Sequence, residues 1–575
     1  MSYRLVTWLL PLLSASAYAK CYDPSPAFPV PAWSSGAKDL AAGFGSIEQR
    51  LQDVVGAKEY ATSSFSIEVT SNTETLWSRF HTARELNKTR PGVTDVDEDS
   101  LYRIASITKT FTVLGVLYQH AAGNLSLDDP ITTYIKELAD SNSGKIPWKD
   151  ITLRILASQL SGIPREFAQS DVINELDPTT VGLPPASKKN LPLCYQSEQF
   201  APCNRTDLLD YITRPAAKPV FAPNQQSTYS NVAFELLGLA IENVTGMGYS
   251  EYMERAIFDP LDMSSSSLDQ PSDEHAVLPK GDNYWDAEEG VQRPTGGIYS
   301  SSSDMSKYVR YILTHYNALA TGVNWFMPAS WSTGMESTYG MPFEIFRTDR
   351  LLKDSRRPVT LVTKAGGVPG YFSRISMLPE YGLGITILVG GNVKLLGKIQ
   401  EVVGVELVRA AEAAIWPNVA RTYTGSYVAT DSSLNSSIEL ASSPSTGLIL
   451  NSFVSNSTDV LGTVLPVYAD PDIADGKQPW HAQLVPTLLY KNESTQQGEI
   501  WRMLVTPERK NDGSEGIFDE FCITDIDTAS YAGLPVNEVV FWHEEGILEM
   551  PAWQVKMKAV GKKYNENKLV VQLGL

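Results

Sequence analysis

The sequence predicts an α+β fold of sheet and helices, followed by a small all-β domain. Strand-like stretches lie at 64–80 and at 359–391, the latter separated by Gly/Pro turns. Between them lie long apolar stretches with helical spacing. From about residue 420 onward the chain contains short strand-like stretches with turn-rich joins, one of them at 463–467, a pattern typical of a small β-barrel or sandwich.

Residues 1–19 have the pattern of a secretory signal peptide. Arg4 supplies positive charge, 6–13 form a short apolar core, and Ala17-Tyr18-Ala19 fits a small-x-small cleavage site. The apolar run is too short to span a bilayer, and no later segment is long and apolar enough. We therefore expect a secreted protein without a membrane anchor. Residues 20–43 are proline-rich and predict an extended N-terminal arm.

A first domain is predicted over residues 44–416. Its helices are expected at 44–58, 106–122, 231–246, 304–317 and about 394–415. Its strands are expected at 64–70, 75–80, 101–104, 359–364, 371–378 and 383–389. Trp416-Pro417 marks the predicted end of this domain.

Ser106 and Lys109 stand three residues apart at the start of an apolar helix. That spacing puts the hydroxyl and the amine on one helix face, where the amine can take the serine proton and activate a nucleophile. A lysine buried in such a helix needs a partner or a task. The spacing alone is weak, since Ser35 and Lys38 repeat it and Ser106 also suits a plain N-cap.

Two later stretches carry groups that fit the same chemistry. Tyr229 offers a phenol that can relay a proton, and Asn231 an amide that can hold a substrate carbonyl or orient a lysine. Lys364 can place a cation near the phenol, while Gly366 and Gly367 let a substrate lie close to the strand. The structural alternatives are a core tyrosine, a helix-capping asparagine and a solvated strand-edge lysine.

These motifs, in this order, resemble the serine β-lactamase and penicillin-binding protein superfamily, in particular its class C-like branch of esterases, D-aminopeptidases and acyltransferases. The resemblance covers about residues 45–415. It also includes the stretches 125–130, Gln159 to Pro164, Pro223 to Asn231, Thr295 to Ser300, and Asp304-Met305. It implies a β-lactamase/transpeptidase-like fold, with an antiparallel sheet flanked by helices and a helical subdomain.

By this resemblance Ser106 is the nucleophile, Lys109 helps to deprotonate it, and Tyr229 is the general base or proton relay. The N–H groups of Ser106 and Gly367 would form the oxyanion hole. Two lysines near one phenol should lower the pKa of Tyr229, and burial and like charge should lower the pKa of Lys109 and of Lys364. Asn231, Gly366 and Gly367 would contact the substrate.

The sequence departs from the family pattern at three positions. Ala365 stands where β-lactamases often have threonine, Gln159 replaces a frequent histidine, and Asn224 replaces a usual glycine. These changes weaken an antibiotic-hydrolase assignment and leave esterase or amidase activity open. An aromatic cluster is either core or the lining of an apolar acyl pocket: Trp325, Phe326, Trp331, Tyr339, Phe343 and Phe346.

Residues 420–575 are predicted to form the β-rich C-terminal domain. Four cysteines in an oxidising compartment favour two disulfides, with Cys194–Cys203 stapling a proline-rich insertion at 171–205 and Cys21–Cys522 as the remaining pair, although three pairings exist. Seven glycosylation sequons also suit secretion, at Asn87, Asn124, Asn204, Asn243, Asn435, Asn456 and Asn492.

The formal net charge of −19 argues against nucleic acid or an anionic membrane as partner. The six histidines show no metal-ligand spacing, and we expect no cofactor. The sequence therefore predicts a secreted serine hydrolase that cleaves, or transfers the acyl group of, a small-molecule ester, lactone or amide, such as a secondary metabolite. The alternative function is a catalytically idle fold used as a binding or scaffold module. Oligomeric state and substrate stay open.

Overall fold

The computed structural model describes residues 23–33, 38–139, 144–189, 191–194, 201–319, 325–468, 471–508, 522 and 529–561. The predicted signal peptide lies outside these residues. The chain divides into two units. Among the described residues, the first unit comprises those within 32–348 and 359–411, and the second comprises those within 23–31, 349–358 and 412–561.

An eight-stranded antiparallel sheet organises the first unit, with the strand order β2-β1-β10-β9-β8-β7-β6-β5. A separate pair, β3 and β4, leads into and supports the site described below. The ten strands are β1 (Ser64–Ser71), β2 (Thr75–His81), β3 (Tyr102–Arg103), β4 (Tyr299–Ser300), β5 (Ser330–Trp331), β6 (Ser337–Tyr339), β7 (Glu344–Thr348), β8 (Val359–Val368), β9 (Tyr371–Leu378) and β10 (Leu383–Gly390). The antiparallel sheet is confirmed.

Helices flank the sheet of the first unit, and the last of them, α11, continues into residues of the second unit. They are α1 (Ala41–Gly56), α2 (Thr108–Ala121), α3 (Lys136–Ala139), α4 (Leu153–Ala157), α5 (Val172–Glu175), α6 (Arg205–Thr213), α7 (Val232–Thr245), α8 (Tyr249–Met253), α9 (Arg293–Gly296), α10 (Ser302–Leu319) and α11 (Val393–Tyr423). The first ten residues of α2 are all buried, because α2 packs against α7 and α9. Helix α10 packs on β1 and β10. Among the described residues, no helix combines the length and apolarity needed to cross a membrane.

The pairing of β7 with β8 stops short of the end of β8. Glu344 lies opposite Thr363, and the register runs from there to Thr348 opposite Val359. Pairing of β8 with β9 continues further, to Val368. The stretch 365–368 therefore has β9 on one side and extends past β7 on the other, so its second edge is not paired with β7.

The second unit contains a closed antiparallel β-barrel. Its eight barrel strands pair in the order β12-β11-β21-β20-β19-β16-β15-β13, and β13 pairs back with β12. Closure removes the exposed edges that an open sheet presents. The strands of this unit are β11 (Gly425–Ala429), β12 (Ser437–Ser443), β13 (Gly447–Ser455), β14 (Thr458–Asp459), β15 (Trp480–Asn492), β16 (Gln497–Pro507), β17 (Ser530–Tyr531), β18 (Leu534–Pro535), β19 (Glu538–Trp542), β20 (Ile547–Met550) and β21 (Val555–Ala559).

Two local predictions are wrong. The strand expected at 463–467 is a helical segment, α12 (Val460–Thr463) and a 3-10 turn, because the Asp459 carboxylate accepts the Gly462 N–H at 3.1 Å and caps a helix. A further short helix, α13 (Pro471–Ala474), follows. The helix expected to stop near 415 continues through Pro417 to Tyr423. Trp416, Val419 and Tyr423 stay buried at helical spacing, which offsets the hydrogen bond that the proline removes.

Candidate active site

Ser106 lies in the 3-10 turn Ala105–Ile107, directly before α2. Ala105 has φ +47°, a left-handed conformation that is strained for a residue with a Cβ and that is typical of functional turns. Lys109, in the first turn of α2, donates from Nζ to Ser106 Oγ at 3.0 Å and to the Thr295 carbonyl at 2.8 Å. Lys109 is completely buried. The predicted Ser–Lys pair is in direct contact.

Tyr229 reaches the same hydroxyl from a distant part of the chain. Its phenol donates to Ser106 Oγ at 3.0 Å. Gln159 holds the loop that carries this tyrosine: its carbonyl accepts the Thr228 N–H at 2.9 Å and its side-chain oxygen accepts the Ser230 N–H at 2.7 Å. The Ser106 hydroxyl therefore lies within hydrogen-bond distance of both an amine and a phenol.

Lys364 brings the second amine to the phenol, and it has an acidic partner. Its Nζ lies 5.3 Å from the centre of the Tyr229 ring, the same distance as Lys109 Nζ. Lys364 donates to Glu344 Oε1 at 2.7 Å, and the other oxygen of Glu344 accepts the Ala365 N–H at 3.2 Å. Lys364 is 1% exposed, so it is not the solvated strand-edge lysine of the alternative assignment.

Gly366 is the point at which β8 touches the nucleophile turn. A Cβ on Gly366 would lie 2.2 Å from the Ile104 carbonyl oxygen and 3.0 Å from the Ser106 nitrogen, so only glycine at this position permits the approach of strand to turn. The Ser373 hydroxyl also donates to the Ile104 carbonyl at 2.7 Å. Gly367 is less crowded, since a Cβ there would meet the Phe372 ring at 3.4 Å.

The direction of the Gly367 N–H follows from strand alternation. The Ala365 N–H donates to Glu344 and thus points toward the β7 side of β8. N–H groups two residues apart on a strand point the same way, so the Gly367 N–H faces the open edge beyond β7. This edge adjoins Ser106, as the close approach of Gly366 shows. The arrangement suits the predicted pair of oxyanion donors.

Asn231 lies beside the site but does not cap α7 with its side chain. Its Nδ2 donates to Glu166 Oε1, and its backbone N–H donates to the Arg165 carbonyl at 2.8 Å. Its buried Oδ1 has no hydrogen-bond partner within the part of the chain that the structure describes. The helix-cap alternative is therefore wrong for the side chain, and the buried amide oxygen makes no hydrogen bond to the described residues.

The pKa values of the two lysines are shifted in opposite directions. Burial opposes ionisation of Tyr229, but the charges of Lys109 and Lys364 and the Ser106 hydrogen bond outweigh it and lower the pKa of Tyr229 to about 8. Burial lowers the pKa of Lys109, as predicted. The prediction for Lys364 is wrong: burial alone would lower its pKa, but the Glu344 carboxylate outweighs burial and raises it.

The residue types of the motifs did not reveal every member of the site. Glu344 lies in no motif. It is the first residue of β7, and the strands β5 to β7 were not predicted. The Thr295 carbonyl and Glu166 lie in or beside stretches that the family pattern does contain, at 295–300 and 159–164. Their place in those two stretches was the sequence signal that could have identified them.

Comparison with known families decides the classification. A family model described as "Beta-lactamase" matches residues 45–397, which is more than half of the chain. The chain belongs to the β-lactamase family. A second model, described as a "Beta-lactamase-like-like, C-terminal domain", matches residues 416–561.

Full-length relatives of this β-lactamase family member occur in fungi. A probable hydrolase of Phoma sp. is 31% identical over 550 residues, covering 93% of this chain and 90% of its own. A probable hydrolase of Cochliobolus lunatus is 30% identical, with the same coverage. A β-lactamase-like protein of Arthroderma benhamiae is 28% identical and covers 94% of this chain and 95% of its own. These relatives support hydrolase activity.

Solved structures with similarity to this chain include two β-lactamases. A class C β-lactamase has 19% sequence identity and a TM-score of 0.48, covering 66% of this chain and 98% of its own. A β-lactamase/D-alanine carboxypeptidase from Yersinia pestis, complexed with citrate, has 20% identity and a TM-score of 0.48, covering 64% of this chain and 99% of its own.

The departures from the β-lactamase pattern have local explanations. Asn224 has φ +63°, which explains why glycine is usual there and why asparagine, the side chain most tolerant of this region, can replace it. Gln159 is fully buried and anchors the Tyr229 loop through both its carbonyl and its side chain. Ala365 keeps its backbone contact with Glu344, so the missing hydroxyl leaves the ion pair intact.

The aromatic cluster divides between core and cavity. Trp325 and Phe343 are buried core residues, whereas Trp331 is 74% exposed. Tyr339 and Phe346 line a cavity of about 330 Å³ over β6–β8. The cavity is also lined by Glu344, Leu361, Thr363 and Arg374. Thr363 directly precedes Lys364 in β8, so the cavity lies on the sheet face opposite Lys364.

One predicted disulfide is confirmed. Cys194 and Cys203 are bonded, nine residues apart in the sequence. Cys522 is also disulfide-bonded, and its predicted partner, Cys21, lies outside the described residues. Among the described residues there is no group of three or more side chains that could hold a metal ion.

Proposed function

We propose that this β-lactamase family member is a serine hydrolase that acts through an acyl-enzyme on Ser106. One observation carries the proposal: Lys109 Nζ and Tyr229 Oη each lie 3.0 Å from Ser106 Oγ. The two polar groups come from segments far apart in the chain and meet at one hydroxyl. An N-cap serine has no need of either, whereas a nucleophile needs a nearby base.

The first half of the reaction forms the acyl-enzyme. Ser106 Oγ attacks the carbonyl carbon of an ester, lactone or amide, and its proton passes to the ionised Tyr229 phenol. The N–H groups of Ser106 and Gly367 stabilise the tetrahedral oxyanion, and one such donor contributes about 3 kcal/mol in comparable enzymes. The intermediate collapses with cleavage of the bond to the leaving alcohol or amine, which takes the proton from Tyr229.

The second half regenerates the serine. Water enters, Tyr229 takes its proton, and the resulting hydroxide attacks the acyl carbon. Collapse of the second tetrahedral intermediate breaks the bond to Ser106 Oγ, which recovers a proton from Tyr229. An alcohol or amine in place of water gives acyl transfer by the same steps. Lys109 stays hydrogen-bonded to the serine and to the Thr295 carbonyl, which keeps the hydroxyl oriented.

We propose an esterase or amidase acting on small molecules, secondary metabolites included. Ala365 removes a hydroxyl that β-lactamases often place near a substrate carboxylate, which supports a substrate other than an antibiotic. Secretion is part of the proposal and is supported by the N-terminal signal pattern and the Cys194–Cys203 disulfide. It is also supported by exposed sequon asparagines at Asn124, Asn204, Asn243, Asn435, Asn456 and Asn492.

Fluorophosphonate labelling followed by intact mass tests the nucleophile. We expect one covalent adduct on the wild-type protein and none on Ser106→Ala. Ser35→Ala is the matched control, because Ser35 has the same spacing to its lysine. An adduct that survives Ser106→Ala, or no adduct at all, rejects the acyl-enzyme and favours the idle binding module. A series of p-nitrophenyl esters of increasing chain length then defines the acyl preference.

A further inference from the structure

Glu344 connects the end of β7 to the lysine of β8. Its two carboxylate oxygens accept the Lys364 ammonium at 2.7 Å and the Ala365 N–H at 3.2 Å. The Thr363 hydroxyl donates to the Glu344 carbonyl at 2.7 Å, which fixes the backbone that carries the carboxylate. Glu344 is thus held at three points along Thr363, Lys364 and Ala365.

A buried lysine without an acidic partner tends to lose its charge, because burial disfavours the ammonium. Lys364 has such a partner. Lys109, equally close to Tyr229, hydrogen-bonds to a hydroxyl and a carbonyl. Both amines are buried, so the difference in partner explains why the pKa of Lys364 is raised whereas burial lowers the pKa of Lys109.

We propose that Glu344 is a positioning residue that keeps Lys364 charged and fixed beside Tyr229, so that the phenolate that takes the Ser106 proton always has one cation next to it. This inference rests on the proposed acyl-enzyme function and assigns a role outside the family motifs. Lys364 supplies the constant positive field that stabilises the Tyr229 phenolate. Lys109 supplies the amine that can be neutral at the serine.

The surrounding charges agree with this division. Arg374, on the neighbouring β9, also acts on Glu344, and together with Lys364 it lowers the pKa of that carboxylate despite burial. Tyr339 of β6, Tyr229 and Lys109 of α2 also face the pair, and the Arg165 guanidinium lies 4.7 Å from the centre of the Tyr229 ring. The charge of Glu166 acts on Lys109 and favours its ammonium form. Glu344 therefore remains ionised over the range in which Tyr229 titrates.

Glu344→Gln tests the role because it removes the charge and keeps the shape. Without the carboxylate, burial lowers the pKa of Lys364, and the alkaline limb of the pH profile for fluorophosphonate acylation should move down by about 1 pH unit or more. Glu344→Asp keeps the charge but withdraws it by one methylene. The alkaline limb of its pH profile should fall between those of wild type and Glu344→Gln. Glu274→Gln, in an exposed turn, is the control and should match wild type.

A spectroscopic titration gives a second, activity-independent result. The tyrosinate absorbance that disappears in Tyr229→Phe reports Tyr229, and its midpoint should rise in Glu344→Gln because the cation beside the phenol is lost or displaced. An unchanged alkaline limb and an unchanged midpoint would overturn the role of Glu344. The two proposals fail separately: absence of labelling in wild type rejects the acyl-enzyme, whereas normal labelling with unchanged profiles rejects only the role of Glu344.

Discussion

The phenol of Tyr229 lies 3.0 Å from the hydroxyl of Ser106, across 123 residues of chain. Tyr229→Phe removes the oxygen and keeps the ring. We expect the acylation rate to fall about 10²–10⁴-fold, the usual range for loss of a general base. The cost in unfolding free energy should be only about 1 kcal/mol, that of one hydrogen bond. Fluorophosphonate labelling kinetics measure the acylation rate, and denaturant unfolding measures the unfolding free energy. A large loss of stability with a normal acylation rate would indicate a structural tyrosine.

The pH dependence of acylation follows from the ionisation of Tyr229. The phenolate is the basic form, so the rate should rise as the pH increases through about 8, the lowered pKa of Tyr229. The sign is fixed because the protonated phenol cannot accept the serine proton. A pH–rate profile of kcat/KM with a p-nitrophenyl ester, corrected for spontaneous hydrolysis, measures the limb. A profile flat between about pH 6 and 9 would contradict this assignment.

Gly366 and Gly367 form a matched pair for testing the contact between strand and nucleophile. In Gly366→Ala the new methyl meets the Ile104 carbonyl at 2.2 Å, so strand or turn must shift, and we expect a loss of about 1–3 kcal/mol of stability together with most activity. In Gly367→Ala the methyl meets only the Phe372 ring at 3.4 Å and the N–H is kept. Gly367→Ala should keep its stability and its reaction with fluorophosphonate. Equal losses of stability and labelling in Gly366→Ala and Gly367→Ala would show that the crowding at Gly366 is unimportant.

A buried ion pair involves β3, the strand that precedes the turn carrying Ser106. Arg103 of β3, with a fully buried side chain, bonds to Glu289, and burial raises the pKa of that carboxyl. Arg103→Met leaves the carboxyl without its partner and should cost about 3–5 kcal/mol in unfolding free energy. The exposed pair Arg255–Glu251 is the control, and Arg255→Met should cost less than about 1 kcal/mol. Urea unfolding of both variants gives the comparison.

The long apolar segments were predictable because their periodicity extends over many residues. The helices around Phe111 and Leu236 and the three strands from 359 to 390 all occur within a few residues of their expected bounds. The contact of Ser106 with Lys109 agrees with their helical spacing, but the same spacing at Ser35 and Lys38 shows that spacing alone does not identify a site. Its contact with Tyr229 required the family resemblance, because no local pattern relates residues separated by so much chain.

The missed elements depend on tertiary contacts. β5 and β6 are two and three residues long, too short to show an alternation of side chains. Glu344 looks like any strand-end glutamate, and only the register of β7 on β8 brings it to Lys364. The raised pKa of Lys364 could not be predicted without that contact. The continuation of α11 past Pro417 could not be predicted, because burial of the residues beyond the proline is invisible in the sequence.

The Ile104 carbonyl, which binds Ser373 and touches Gly366, gives the nucleophile and the sheet edge a common anchorage. Tyr229 has another anchorage, through Gln159. The nucleophile and its base are therefore fixed by separate sets of contacts. A substitution that loosens the Gln159 contacts should displace the base and leave the contact of Ser106 with β8 in place.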